Sequence, residues 1–92
     1  AGLSHLTRQM ALEWAKYGIR VNSLAPGYMR TDINKEFIDS DISNDMIKRI
    51  PMRRVGSIDE MDGALLLLVS DAGSYITGST LIVDGGHLLR DL

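Results

Sequence analysis

The stretch Ile19-Arg20-Val21-Asn22-Ser23-Leu24-Ala25-Pro26-Gly27 decides the fold. Ile19, Val21 and Leu24 make Ile19 to Ala25 a short β-rich run, which predicts a strand. Pro26-Gly27 ends it, because proline has no backbone N–H to give to a ladder and the dipeptide turns sharply. In open α/β sheets, ligands bind beyond the carboxyl ends of the strands, and this dipeptide occupies such an end. Proline fixes the turn and Gly27 carries no side chain; taken alone, the dipeptide reads as an ordinary turn. Asn22 is unfavourable in mid-strand and reads as a structural hydrogen-bonding residue.

Upstream, Leu3, Leu6, Met10, Trp14 and Tyr17 recur at spacings of three and four, predicting a helix over Ala1 to Tyr17 that ends at a left-handed Gly18. Ala11 and Ala15 give it a small-residue side that another helix could approach closely. Downstream, Tyr28 to Gly56 is long, polar and mixed in sign. It reads as a lid, binding loop or linker, with short helices at Asp32 to Phe37 and Asn44 to Ile50 and adaptable apolar surface from Met29, Met46 and Met52. Ser57 to Val69 is the clearest helix. Ser57 and Glu60 form an S-x-x-E capping box, and the apolar residues that follow run almost all the way round, which predicts burial on most faces. After a turn region from Ser70 to Ser79, Thr80 to Val83 reads as a second strand, ended by Asp84-Gly85-Gly86. Two apolar strands joined by a helical crossover imply a parallel, right-handed pair. A sheet of two strands is not stable alone, so further strands outside these residues are expected.

The bulk numbers narrow the class. The 92 residues allow one domain, and an apolar fraction of 45% with 24% charged residues is that of an ordinary globular protein. A net charge of −2 with interspersed signs argues against a nucleic-acid footprint. There is no cysteine, which removes disulfides and thiolate metal sites and fits a reducing compartment. The longest apolar run, Ala64 to Val69, falls far short of the ~20 residues that span a bilayer. His5 and His87 have no carboxylate at metal-ligand spacing, so no metal site is expected. With Ala1 already inside a helical pattern, and no signal-peptide pattern, the chain reads as cut from something longer.

The run Ile19 to Gly27 resembles the sixth strand and Pro-Gly turn of the short-chain dehydrogenases/reductases. The similarity continues through Tyr28-Met29-Arg30-Thr31, Arg54-x-Gly56, Ser70-Asp71, Tyr75-Ile76-Thr77-Gly78 and Val83-Asp84-Gly85-Gly86, in the family's order. The resemblance implies the α/β fold of that family. This chain would be the C-terminal part of its doubly wound Rossmann-type parallel sheet, the last two strands with flanking helices. Residues 1–92 would form part of a single domain: helix, strand and turn over 1–27, substrate lid over 28–56, and last helix and strand over 57–92.

Ala1-Gly2-Leu3 looks like the residues directly after the lysine of the family's Tyr-x-x-x-Lys pair, and none of Tyr17, Tyr28 and Tyr75 has a lysine four positions on. The catalytic serine, tyrosine and lysine would then lie upstream, with no catalytic residue in this chain. The implied activity of the whole protein is hydride transfer between a secondary alcohol or carbonyl and NAD or NADP. By similarity, Pro26, Gly27 and the backbone of Met29 would hold the nicotinamide side, the hydroxyl of Thr31 would reach the carboxamide or the pyrophosphate, and Tyr28 would line the substrate pocket or else pack against the lid. Thr31 could equally cap the Asp32 helix, and Arg54 is expected to pair with Asp59 or Glu60. The family's tetramers imply a homo-oligomer formed through the first helix and the C-terminal helix and strand, extended by Leu88 and Leu89, in the cytoplasm. The alternative is a catalytically inactive, truncated member acting as an oligomerisation module.

Overall fold

In the computed structural model, which describes residues 2–90, the chain forms two compact units. Ala1–Ala25 and Gly63–Leu81 make the first, and Pro26–Asp62 and Ile82–Leu92 make the second.

The first unit opens with helix α1, Gly2–Trp14, which tightens into a 3₁₀ turn over Ala15–Tyr17. Gly18 closes it in the expected left-handed conformation, φ 75°, and its N–H donates to the Ala15 carbonyl at 3.0 Å. The buried face of α1 is not the expected stripe of large residues. Thr7 and Ala11, one turn apart, are buried, while Leu3, Leu6, Trp14 and Tyr17 are exposed. Small residues win because a backbone turn comes close: a Cβ placed on Gly78 would lie 3.5 Å from the Ala11 Cβ.

Strand β1 is Ser23–Pro26, so the strand starts four residues later than the apolar pattern of Ile19 to Asn22 suggests. Those residues bond to the turn at 76–79 instead. Val21 N–H donates to Thr77 Oγ1 at 3.1 Å, and the Val21 carbonyl accepts from Gly78 N–H at 2.8 Å. Asn22 takes the structural role its position implied, donating through Nδ2 to the Ile76 carbonyl and accepting from Ser79 N–H through Oδ1, both at 3.0 Å. The Arg20 guanidinium donates to the carbonyls of Ile76 and Ser70.

Helix α4, Asp62–Val69, differs from expectation more sharply. Not one of its residues is buried, and Leu65 and Leu66 are 50% and 62% exposed. An eight-residue helix that is apolar all round needs cover on several sides. Residues 2–90 supply sheets of only two strands each.

Strand β4, Thr80–Val83, has the predicted bounds and pairs with β1. In the first unit, Ser23 N–H donates to the Ser79 carbonyl at 2.9 Å; in the second, Gly27 N–H donates to the Val83 carbonyl, also at 2.9 Å. Donor and acceptor both advance four residues in the same direction, so the pair is parallel, as expected.

The second unit contains the long excursion from Tyr28 to Gly56. Its ends are zipped by a parallel pair that the sequence did not reveal: β2, Met29–Arg30, and β3, Gly56–Ser57, with Met29 opposite Gly56 and Arg30 opposite Ser57. Between them lie α2, Lys35–Ile38, a 3₁₀ turn at Asp41–Ser43, and α3, Asn44–Lys48. The first helix starts three residues later than predicted and the second ends two earlier. Ile38, Ser43 and Ile50 are buried, and Ser43 Oγ donates to the carbonyls of Ile38 (2.8 Å) and Ser40 (3.0 Å). The capping box forms as read, but the turn it starts, Ile58–Met61, is 3₁₀ and passes into α4.

Beyond β4, Asp84 organises the chain. Its carboxylate accepts from Gly86 N–H at 2.8 Å and Leu88 N–H at 2.9 Å, which caps α5, His87–Arg90. The other side of Asp84 lies against Gly27. A Cβ there would fall 2.6 Å from the Asp84 Cβ and 2.8 Å from its Cα. Gly27 is therefore required by the neighbouring chain, whatever else approaches it. Gly27→Ala overpacks a contact with backbone that cannot swing aside, and is expected to cost about 1–3 kcal/mol. Chemical denaturation of the full-length protein measures this; a variant as stable as the parent contradicts the contact.

Candidate functional site

Pro26, Gly27, Tyr28, Met29 and Thr31 all belong to the second unit, and β1 and β2 set their order in space. Pro26 is the last residue of β1, so the turn follows the strand's carboxyl end directly. The half-exposed Tyr28 ring lies 5.3 Å from the His87 ring at 39°, a tilted aromatic pair. His87 carried no role in the sequence. It comes beside Tyr28 because the cap on Asp84 starts α5 there.

Met29 sits in the short ladder with Gly56. The Gly56 N–H reaches the Tyr28 carbonyl at 2.9 Å, which turns the Met29 amide groups to the other edge of β2. On that edge Asn34 Nδ2 donates to the Met29 carbonyl at 2.8 Å. The Met29 side chain fills the space above Gly56, where a Cβ would meet its Sδ at 2.6 Å. A hollow of about 100 Å³ lies beside it, lined by Tyr28, Met29, Met52, Arg54, Val83 and Asp84 among others.

Thr31 has the capping bond expected of it, in modified form. Its Oγ1 accepts from Asn34 N–H at 3.3 Å, and Asn34 Oδ1 accepts from Thr31 N–H at 2.7 Å. Because the oxygen accepts there, the hydroxyl proton remains to be donated elsewhere. Asn34 is the residue that sequence reasoning missed. An asparagine just before a helix reads as an ordinary cap, and nothing in its spacing shows that its amide points backward.

Two exposed ion pairs brace the base of the excursion. Arg30 donates to both oxygens of Asp39, at 3.0 and 2.7 Å, and Arg54 to both oxygens of Glu60, at 2.7 and 2.8 Å. The second is one of the two pairings expected of Arg54. The Arg30 hydrogen bond lowers the Asp39 pKa, and the same contact raises that of Arg30. Glu60 is brought down to about 2, first by the Arg54 hydrogen bond and then by the Ser57 N–H, which donates to Oε1 at 3.0 Å. Exposed pairs of this kind contribute little stability but fix geometry when bidentate. Among the described residues no group of three or more His, Asp or Glu could hold a metal ion, and no helix is long and apolar enough to cross a membrane.

A parallel strand pair with a turn at its carboxyl end and helices on either side of the strands in sequence belongs to the doubly wound, Rossmann-type α/β class, and solved structures bear this out. That of 4-hydroxyisoleucine dehydrogenase complexed with NADH matches with a TM-score of 0.87 and 35% identity, covering 96% of this chain and 37% of that one. A gluconate 5-dehydrogenase from Burkholderia cenocepacia, in complex with NADP and tartrate, matches with a TM-score of 0.83 and 42% identity, covering 95% and 34%. D-arabinitol 2-dehydrogenase (ribulose-forming) of Candida tropicalis is 46% identical over 90 residues, 95% of this chain and 32% of that protein. A family model described as enoyl-(acyl carrier protein) reductase matches residues 1–87. The chain belongs to this family of short-chain dehydrogenases/reductases, and it spans about a third of the length of these relatives.

The Glu60 pKa gives the ion pair a pH signature. Because the folded carboxyl lies below its usual value of about 4.5, its contribution is complete above that pH and is lost as pH falls toward about 2. An NMR titration of the Glu60 carboxyl carbon is expected to show its midpoint near 2, rising part of the way back in Arg54→Ala, since Ser57 N–H still donates. A parent midpoint in the ordinary carboxylate range contradicts the pairing.

Proposed function

We propose that this chain is the nicotinamide-side and substrate-lid portion of an NAD(P)-dependent oxidoreductase interconverting a secondary alcohol and a carbonyl. The observation that carries the reading is the segment from Pro26 to Thr31. It leaves β1 at its carboxyl end, turns the Met29 amide groups to the edge of β2 away from β3, where Asn34 takes one side of the carbonyl, and keeps a Thr31 hydroxyl proton available for an acceptor. This donor and acceptor set fits a nicotinamide carboxamide, with the Met29 backbone and Thr31 hydroxyl bonding it and Pro26-Gly27 forming the shelf beneath the ring. A bound nicotinamide cofactor would accept or supply the hydride; the residues of this chain would orient it and exclude water.

Tyr28, half-exposed and tilted against His87, is placed to line the substrate side. Relatives that act on D-arabinitol and gluconate support a polyol or sugar substrate. Since those relatives are about three times as long, the proton-transferring serine, tyrosine and lysine are assigned to the remainder of the protein. The exposed apolar residues of α1 (Leu3, Leu6) and of α5 (Leu88, Leu89) support homo-oligomerisation through these elements, and the absence of cysteine suits the cytoplasm.

Thr31→Val in the full-length protein removes the hydroxyl while keeping the β-branched shape. The dissociation constant for NAD(P)H, read by fluorescence titration, is expected to rise roughly three- to tenfold, the worth of one hydrogen bond. Unaltered cofactor affinity overturns the assignment of Thr31.

A further inference from the structure

We propose that Asn34 is a positioning residue that sets the conformation of Met29 to Thr31 for the nicotinamide end of the cofactor; the inference rests on the reading of that segment given above. Asn34 occupies the cap position of α2, yet its side chain makes no capping bond to that helix. Asparagine is favoured at such positions because its oxygen accepts from the helix's first N–H groups. Here both ends of the amide reach backward instead. Nδ2 donates to the Met29 carbonyl at 2.8 Å, and Oδ1 accepts from Thr31 N–H at 2.7 Å.

The Asn34 backbone N–H adds a third bond, to Thr31 Oγ1 at 3.3 Å. One residue thus fixes the carbonyl of Met29, the amide of Thr31 and the acceptor side of the Thr31 hydroxyl. The consequence is directional. With Oγ1 already accepting, the Thr31 hydroxyl proton is left to donate, and with one lone pair of its carbonyl fixed by Asn34, Met29 presents its N–H to a carboxamide oxygen and the second lone pair of that carbonyl to the carboxamide N–H. Aspartate would keep the acceptor for Thr31 N–H but set a carboxylate against the Met29 carbonyl, and alanine would release both.

The test compares two ligands on the full-length protein. NAD(P)H carries the nicotinamide; ADP-ribose, or its 2′-phosphate for an NADP-specific enzyme, lacks it. Asn34→Ala is expected to weaken NAD(P)H binding roughly tenfold, the loss of two modest hydrogen bonds, and to leave the ADP-ribose affinity unchanged. Asn34→Asp, nearly the same shape, is expected to show the same split and serves if the alanine variant does not fold. Equal weakening of both ligands, which a merely structural residue would give, overturns the proposal, as does unaltered NAD(P)H binding. Failure of the parent protein itself to bind NAD(P)H overturns the underlying reading and the role of Asn34 with it.

Discussion

The parallel pairing of β1 with β4 is the constraint on which the rest depends. It carries the chain on β1 to the bond between Gly27 N–H and the Val83 carbonyl, and so lays Gly27 directly against Asp84. That approach leaves no room for a side chain at position 27. It also puts Asp84 where its carboxylate caps α5, which in turn sets His87 beside Tyr28. A single strand register therefore determines the turn, the cap and the aromatic pair. The glycine has a double meaning: the family resemblance implies space for a ring, and the structure adds a neighbouring backbone that already requires the space.

The excursion from 28 to 56 is held differently. Among the described residues, two residues of ladder, two bidentate ion pairs and a few buried side chains close it, and only Ile38 and Ile50 give it buried apolar side chains. Such a segment opens at low free energy, because few apolar contacts resist the opening. Met29 and Met52 along its hollow supply adaptable surface. The first unit shows the complementary feature. Its small residues, Thr7 and Ala11, are buried while Leu65, Leu66 and Leu67 of α4 are exposed.

Much of this was legible in the sequence where local chemistry acts alone. Thr80 to Val83, a bounded apolar run, gave its strand to the residue. Gly18 and the Ser57–Glu60 box marked helix boundaries because caps are local. Reading failed where distant residues intervened. Ile19 to Asn22 has a strand's pattern, yet the 76–79 turn takes its hydrogen bonds. β2 and β3 are too short to show any periodicity, and their pairing joins positions 27 residues apart. The residues at the candidate site were located by resemblance, but the bracing of Met29 and Thr31 by Asn34 depends on which way one amide points, which no pattern encodes.

The backbone leaving β1 at Pro26-Gly27 is the proposed shelf for a nicotinamide ring. A structure of the full-length protein with NAD(P)H tests it most directly. The ring is expected over residues 26 and 27, with its carboxamide within hydrogen-bond distance of the Met29 backbone and Thr31 Oγ1. A nicotinamide bound away from residues 26–31 would contradict it.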